Sequence, residues 1–220
     1  MADVVKRVKK PDTPPGGSRA ERARATRRRI VAAAAELFVT RGYGATLLDD
    51  VAERAGVAVQ TVYFHFTNKR TLLKHVMDTA AVGDDEPVPV MERPWAVQIQ
   101  REVDPRRIID LWVAGGRDIL ERIAPLMRVM RGATGTDPEL AAQWATNQDQ
   151  TRAAHTMLVR LLADRGALRP DLDLERARDI AFVVSNVETY LQFTDVCGWT
   201  PDEWREHTVG ILAGALLADG

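Results

Sequence analysis

Residues 56–69 read GVAVQTVYFHFTNK and gather an amide at Gln60, hydroxyls at Thr61 and Tyr63, an imidazole at His65 and an ammonium at Lys69. Such groups donate and accept hydrogen bonds, and together they suit recognition of a surface rather than bond making. Elsewhere the chain supplies little for catalysis. Its only serines, Ser18 and Ser185, lie outside any nucleophile-elbow context, and no glycine-rich phosphate loop is present. His65, His75, His155 and His207 are scattered without paired metal-ligand spacing. The sequence therefore argues against an enzyme and gives no reason to expect a metal or a cofactor.

What positions these groups is the next question, because eight of the fourteen residues are Val, Thr, Tyr or Phe, types that favour strands. The apolar positions Val59, Val62 and Phe66 are spaced by three and four, which is the period of a helix. Before them, Thr46 is placed to cap a short helix carrying Leu47, Leu48, Val51, Ala52 and Ala55, which Gly56 ends. Two short helices across a glycine-containing turn spell a helix-turn-helix. An earlier helix from Ser18 presents Ile30, Ala33, Ala34, Leu37 and Phe38 on one face and stops at "RGYG". A later one, about 68–81, carries Leu72, Leu73, Val76 and Met77 and closes a small core. The second helix of such a motif lies in the DNA major groove, where short side chains permit close approach, methyls touch thymine, Gln pairs with adenine, and Thr and Tyr hydroxyls donate to phosphate.

Charge points the same way. Ten of the thirty Lys and Arg fall within the first 31 residues, although the whole chain of 220 carries a net charge of −1. A basic end on an acidic body suits a polyanion met by one end only. Residues 1–18, with Pro11, Pro14, Pro15, Gly16 and Gly17, are expected to form a flexible basic arm. The longest apolar run, Ile30 to Ala35, is too short to span a bilayer, and the basic start lacks the apolar segment of a secretory signal. With one cysteine, Cys197, no internal disulfide can form. The expectation is a cytoplasmic protein without a membrane partner.

The stretch RIVAAAAELFVTRGYGATLLDDVAERAGVAVQTVYFHFTNKRTLL closely resembles the DNA-binding domain of the TetR family of transcriptional regulators. It contains "AAELF…RGY…T", "VAERAGV" and "TVYFHFTNK" in the family's order. The resemblance implies that Thr46, Thr61, Tyr63, His65 and Lys69 contact phosphates, that Val59 and Gln60 face base edges, and that Phe64 also reaches DNA. It departs from the family's pattern at Asp49, Ala58 and Phe64.

"GDDEPVPVMERP" at 83–94 is acidic, proline-rich and without periodicity, and separates a DNA-binding domain over 19–82 from a second domain over 95–220. The second domain is expected to be all helical, with helices near 95–102, 105–122, 123–132, 138–165, 173–196 and 201–218. Pro125 is read as a helix start, and Asp137-Pro138 and Thr200-Pro201 as caps followed by first-turn prolines. The fold class is thus all-α: a three-helix head with a helix-turn-helix, and a C-terminal helical domain that the resemblance makes ligand-binding and dimerising. Trp112, Met127, Met130, Trp144, Phe182, Tyr190 and Phe193 can line one cavity, with polar specificity from Asn147, Asn186 and Gln192. The expected effector is small and mainly apolar or aromatic, held between Trp112 and Trp144 beside Asn147. Ala177, Ala181, Val184, Val187, Leu191, Ile211, Leu212, Ala215 and Leu216, with Gly210 and Gly214, are expected to pack a four-helix homodimer seam, an intramolecular core being the competing reading. A two-fold protein matches a palindromic double-stranded operator. The function expected is a repressor released from its operator by that effector; the alternative is a helical protein whose second domain is an enzyme or a docking module.

Overall fold

The apolar stripe of the first helix fixes the head. The computed structural model describes residues 19–83 and 92–218, so the basic arm and most of the 83–94 boundary lie outside the described residues. In α1 (Arg19–Ala45), Ile30, Ala33, Ala34, Leu37 and Phe38 are buried. Gly42, with φ 79° and ψ 169°, interrupts that helix in a conformation only glycine adopts without strain. The chain doubles back there into α2 (Leu48–Ala55), turns at Gly56 and enters α3 (Val59–His65). Then α4 (Lys69–Val82) starts at Asn68, whose side chain accepts from the Thr71 N–H at 2.9 Å. Phe38, Val51, Val62, Phe66, Leu72 and Leu73 are fully buried or nearly so and form the core between the four helices.

Thr46 is not the cap expected of it. Leu47 occupies the cap position without a side-chain bond, and it is exposed rather than part of the buried face. Because the backbone reverses at Gly42, the Thr46 hydroxyl is carried inward, where it donates to the carbonyls of Gly42 (2.8 Å) and Leu37 (3.1 Å). That gives carbonyls near the interrupted end of α1 a side-chain donor.

The second bundle comprises α5 (Pro94–Arg101), α6 (Pro105–Ala133), α7 (Pro138–Asp164), α8 (Leu174–Ser185), α9 (Val187–Leu191), a π-helical turn at Gln192–Val196 and α10 (Pro201–Leu216). Asp104, Asp137 and Thr200 each cap a helix whose first residue is proline, and Thr200 and Glu203 form a reciprocal capping box. No strand occurs among the described residues, only an isolated bridge between Leu168 and Leu217.

Two expected boundaries are wrong. Pro125 lies inside α6 and does not start a helix. An interior proline costs about 3 kcal/mol, but α6 packs against α1, α4, α5, α7, α9 and α10, and its residues around the proline, Ala124, Leu126 and Met127, are buried. Conversely, the single helix expected over 173–196 breaks at Asn186, which is extended (φ −78°, ψ 170°) and restarts the chain by accepting from the Thr189 N–H. Side-chain groups here compete for the backbone: the Thr189 hydroxyl donates to Val183 O and that of Ser185 to Ala181 O.

Inside this bundle His155 of α7 is buried, with Nδ1 2.8 Å from the Thr151 carbonyl and Nε2 2.8 Å from Ser185 Oγ at the end of α8. Trp112 and Phe182 present ring edges to it at 5.5 and 6.1 Å. Gly115 of α6 allows Trp95 of α5 to lie directly on the helix backbone: a Cβ built there would sit 2.5 Å from Trp95 Cε3.

Candidate nucleic-acid interface

Helix α3 divides its residues between two faces. Val62 and Phe66, the extended residue just past its end, are buried and anchor it on the head. Gln60, Tyr63 and Phe64, related by three and four residues, project outward, with Phe64 85% and Tyr63 54% exposed. Val59, Thr61 and His65 are half-buried along its flanks, and the His65 ring lies edge-on to Phe64 at 5.3 Å. The outward face has one amide, one phenol and one large apolar ring, and α3 contains no lysine or arginine.

Thr46 and Lys69, both expected at phosphates, are turned to other work. The Thr46 hydroxyl is buried, as described. The Lys69 ammonium donates to the carbonyls of Tyr43 (2.7 Å), Thr46 (2.9 Å) and Gly44 (3.3 Å) and lies 4.4 Å from the centre of the Tyr43 ring. Three donors meet three acceptors, so the cation is saturated, and burial pulls its pKa below the ordinary lysine value. This charge closes the interrupted end of α1 and ties it to the α3–α4 turn. In this way it also helps to position α3.

The head is also tied to the second bundle through both ends of α4, by groups that sequence reasoning missed. At its start, Arg70 pairs with Glu139 (2.6 Å) and Asp137 (3.5 Å) at the start of α7. Beside them, burial first and the charge of Asp137 next push the Tyr43 phenol up to about 12. At its other end, Arg122 of α6 donates to the carbonyls of Ala80 (2.8 Å) and Ala81 (2.9 Å). The partners are tens of residues apart in sequence, and no local spacing signals them.

The residues expected around one effector fall into separate contact groups among the described residues. Met127, Met130 and Asn147 do meet, with Asn147 Nδ2 3.9 and 3.8 Å from the two sulfurs, and Trp144 lies nearby on α7 under Arg131. Trp112 instead packs against His155, eleven residues farther along α7 than Trp144, about 16 Å at the rise of a helix. Antiparallel α6 and α7 thus separate the two tryptophans expected to face each other. Asn186 spends its side chain as a cap, Tyr190 lies edge-on to Trp204 at 5.1 Å, and Phe193 lies tilted against Trp199 at 4.4 Å. Of the residues expected at a dimer seam, Ala177, Ala181, Val187, Leu212 and Leu216 are buried within the chain itself, which is the competing reading.

Residues 30–76, from the buried face of α1 to the middle of α4, match the profile of the family described as bacterial regulatory proteins, tetR family. The head is thus that of the TetR family of transcriptional regulators. The chain is 29% identical over 163 residues to the HTH-type transcriptional regulator TtgR of Pseudomonas putida, covering 71% of this chain and 75% of that one. Its fold is shared with a transcriptional regulator from Saccharomonospora viridis solved in complex with choline (TM-score 0.69, 18% identity, 88% and 98% of the two chains). It is shared also with NalD, the secondary repressor of the MexAB-OprM multidrug efflux pump in Pseudomonas aeruginosa (TM-score 0.65, 22% identity, 90% and 100%). TetR-family proteins are regulators, not enzymes; they bind DNA operators and dimerise. No helix among the described residues is long and apolar enough to cross a membrane.

Proposed function

We propose that the chain is a homodimeric TetR-family repressor that reads a palindromic operator with the outward face of α3 and leaves it when a small effector binds the second bundle. The observation that carries the reading head is Phe64, 85% exposed on a helix whose inward residues are fully buried. A large aromatic ring held in water beside Tyr63 and Gln60 needs another surface, and the major groove accepts an apolar contact with thymine next to an amide paired with adenine. Thr61, Tyr63 and His65 are the phosphate donors in this reading, Val59 and Gln60 the base contacts.

Two features of the second bundle support an effector there. Asn147 has its amide nitrogen aimed only at thioether sulfurs, which are weak acceptors, while its oxygen accepts from Gln143 Nε2 at 2.8 Å. Trp204, fully buried against Tyr190, has an indole N–H without a hydrogen-bond partner. Both groups call for an acceptor on a mainly apolar compound. Such a compound acts only through unequal affinity for the DNA-competent and DNA-incompetent forms, and α4, tied to the second bundle at both ends, is the element through which that difference reaches α3.

Capture of genomic fragments at several salt concentrations, followed by transcription in vitro from a captured promoter, tests this reading. Specific fragments retained at low salt, and transcription lowered by the protein, are expected. A dimer that retains no specific fragment under those conditions would refute it.

A further inference from the structure

Away from the reading face, a groove of about 630 Å3 opens between α1 and α4. Its floor is apolar, with Val31 and Ala35 from α1 facing Val76 and Val82 from α4. Its rim is cationic. Arg24 and Arg27 stand one turn apart on α1, and neither has a carboxylate partner among the described residues. Arg27 instead brings Nη2 to 3.4 Å from His75 Nδ1 and rests over the Phe66 ring at 5.4 Å. Asp78, which also lines the groove, is engaged by Lys74 at 2.7 Å. A guanidinium donating to an imidazole requires the ring to be neutral, and burial first, then the Arg27 charge, hold His75 below its ordinary pKa. The result is an apolar trough with two guanidinium groups on its rim, Arg24 and Arg27, that pair with no carboxylate among the described residues.

We propose that this groove binds an amphipathic carboxylate, its acyl chain along the apolar floor and its head group against Arg24 and Arg27. Guanidinium groups pair with carboxylates through parallel hydrogen bonds, and the groove's volume falls within the range of about 300–1,000 Å3 common to small-ligand sites. Charge selects this occupant over the chain's own N-terminal arm, which is basic and has the same sign as the rim. The site lies against the strut that joins head to bundle, so a bound acyl chain sets the separation of α1 and α4 directly. The site is distinct from the effector site of the second bundle.

Calorimetric titration of the full-length dimer with sodium decanoate, below its micellar concentration and without DNA, is the test. Decanol and decyltrimethylammonium serve as controls. Saturable binding of one decanoate per chain is expected, with both controls weaker by at least about tenfold. Arg24→Glu and Ala32→Phe, at exposed positions of the rim and floor, should each weaken decanoate by at least about tenfold while leaving the thermal midpoint and the dimer unchanged. The proposal is overturned by absence of saturable binding, by decanol binding as well as decanoate, or by parental affinity in both variants. It falls equally if Ala32→Phe converts the dimer to monomer in sedimentation, because the groove would then belong to a second copy. With no DNA present, failure here leaves operator reading untouched, and failure to bind an operator leaves this titration valid.

Discussion

At the scale of single residues, the proposed function puts reading and holding on different side chains of α3, and substitutions separate the two. Gln60→Ala should cost about 1–3 kcal/mol of operator affinity and relax the preference at one position in each half-site. Tyr63→Phe removes only a hydroxyl and should weaken all sequences alike; competition binding against a library of single-base operator variants distinguishes the outcomes. Lys69→Ala belongs to a third class. Its three carbonyl bonds predict a loss on the order of 2 kcal/mol in unfolding free energy, measured in urea, with the salt slope of DNA binding preserved. A phosphate contact would instead lower that slope by about one with little change in stability. The helix within the stretch 56–69 was legible because its apolar spacing is local. The inward turn of Thr46 and Lys69 was not, since it depends on where Gly42 sends the chain, and a lysine at a helix start has the same sequence whether it faces a carbonyl or a phosphate.

Among elements, close approach and buried polar ties decide what the bundle tolerates. Gly115→Ala puts a methyl into the Trp95 ring, and overpacking of this kind costs about 1–3 kcal/mol; it should lower the melting temperature and shift tryptophan emission as α5 lifts from α6. The α7–α8 tie is sensitive to acid. Burial holds the folded His155 pKa below its ordinary value, whereas the unfolded ring titrates near about 6.5. Between those values the unfolded chain binds more protons, so the contribution of His155 is complete above about pH 6.5 and declines as pH falls toward the folded pKa. Melting temperatures should therefore drop from about pH 7 to about pH 5, less steeply in His155→Gln; His75, also depressed, contributes with the same sign. The same dependence on neighbours explains the misplaced boundaries. Proline at 125 is a stop signal in an exposed helix and a tolerated defect in one packed on most sides. The break at Asn186 arises from Ser185, Asn186 and Thr189 each finding a backbone partner, and nothing in the apolar period announces it.

For the whole molecule, the caps at Asp137 and Thr200, the proline starts and the helical head were readable because each is written in a few adjacent residues. The expected cavity was not, because aromatic residues common to several helices do not reveal which helices run antiparallel or in what register. The dimer seam follows the same logic. With the small residues of α8 buried inside the chain, the surface left for a partner is the outer face, where Val183 is 57% and Ile211 38% exposed and nothing lies within 4 Å of a Cβ built at Gly210 or Gly214. Ile211→Asp should shift the protein toward monomer by sedimentation velocity, with the helical circular-dichroism signal retained and operator affinity reduced through the lost two-fold pairing.

The partition of α3 into a buried pair and an outward trio bears on how such a regulator changes over evolutionary time. Val62 and Phe66 secure the helix, while Gln60, Tyr63 and Phe64 take no part in that anchorage. Selection can therefore rewrite the outward positions without threatening the fold. A duplicated gene could acquire a new target through a handful of codon changes, and a library randomised at these three sites should consist mostly of folded proteins with altered tastes in DNA.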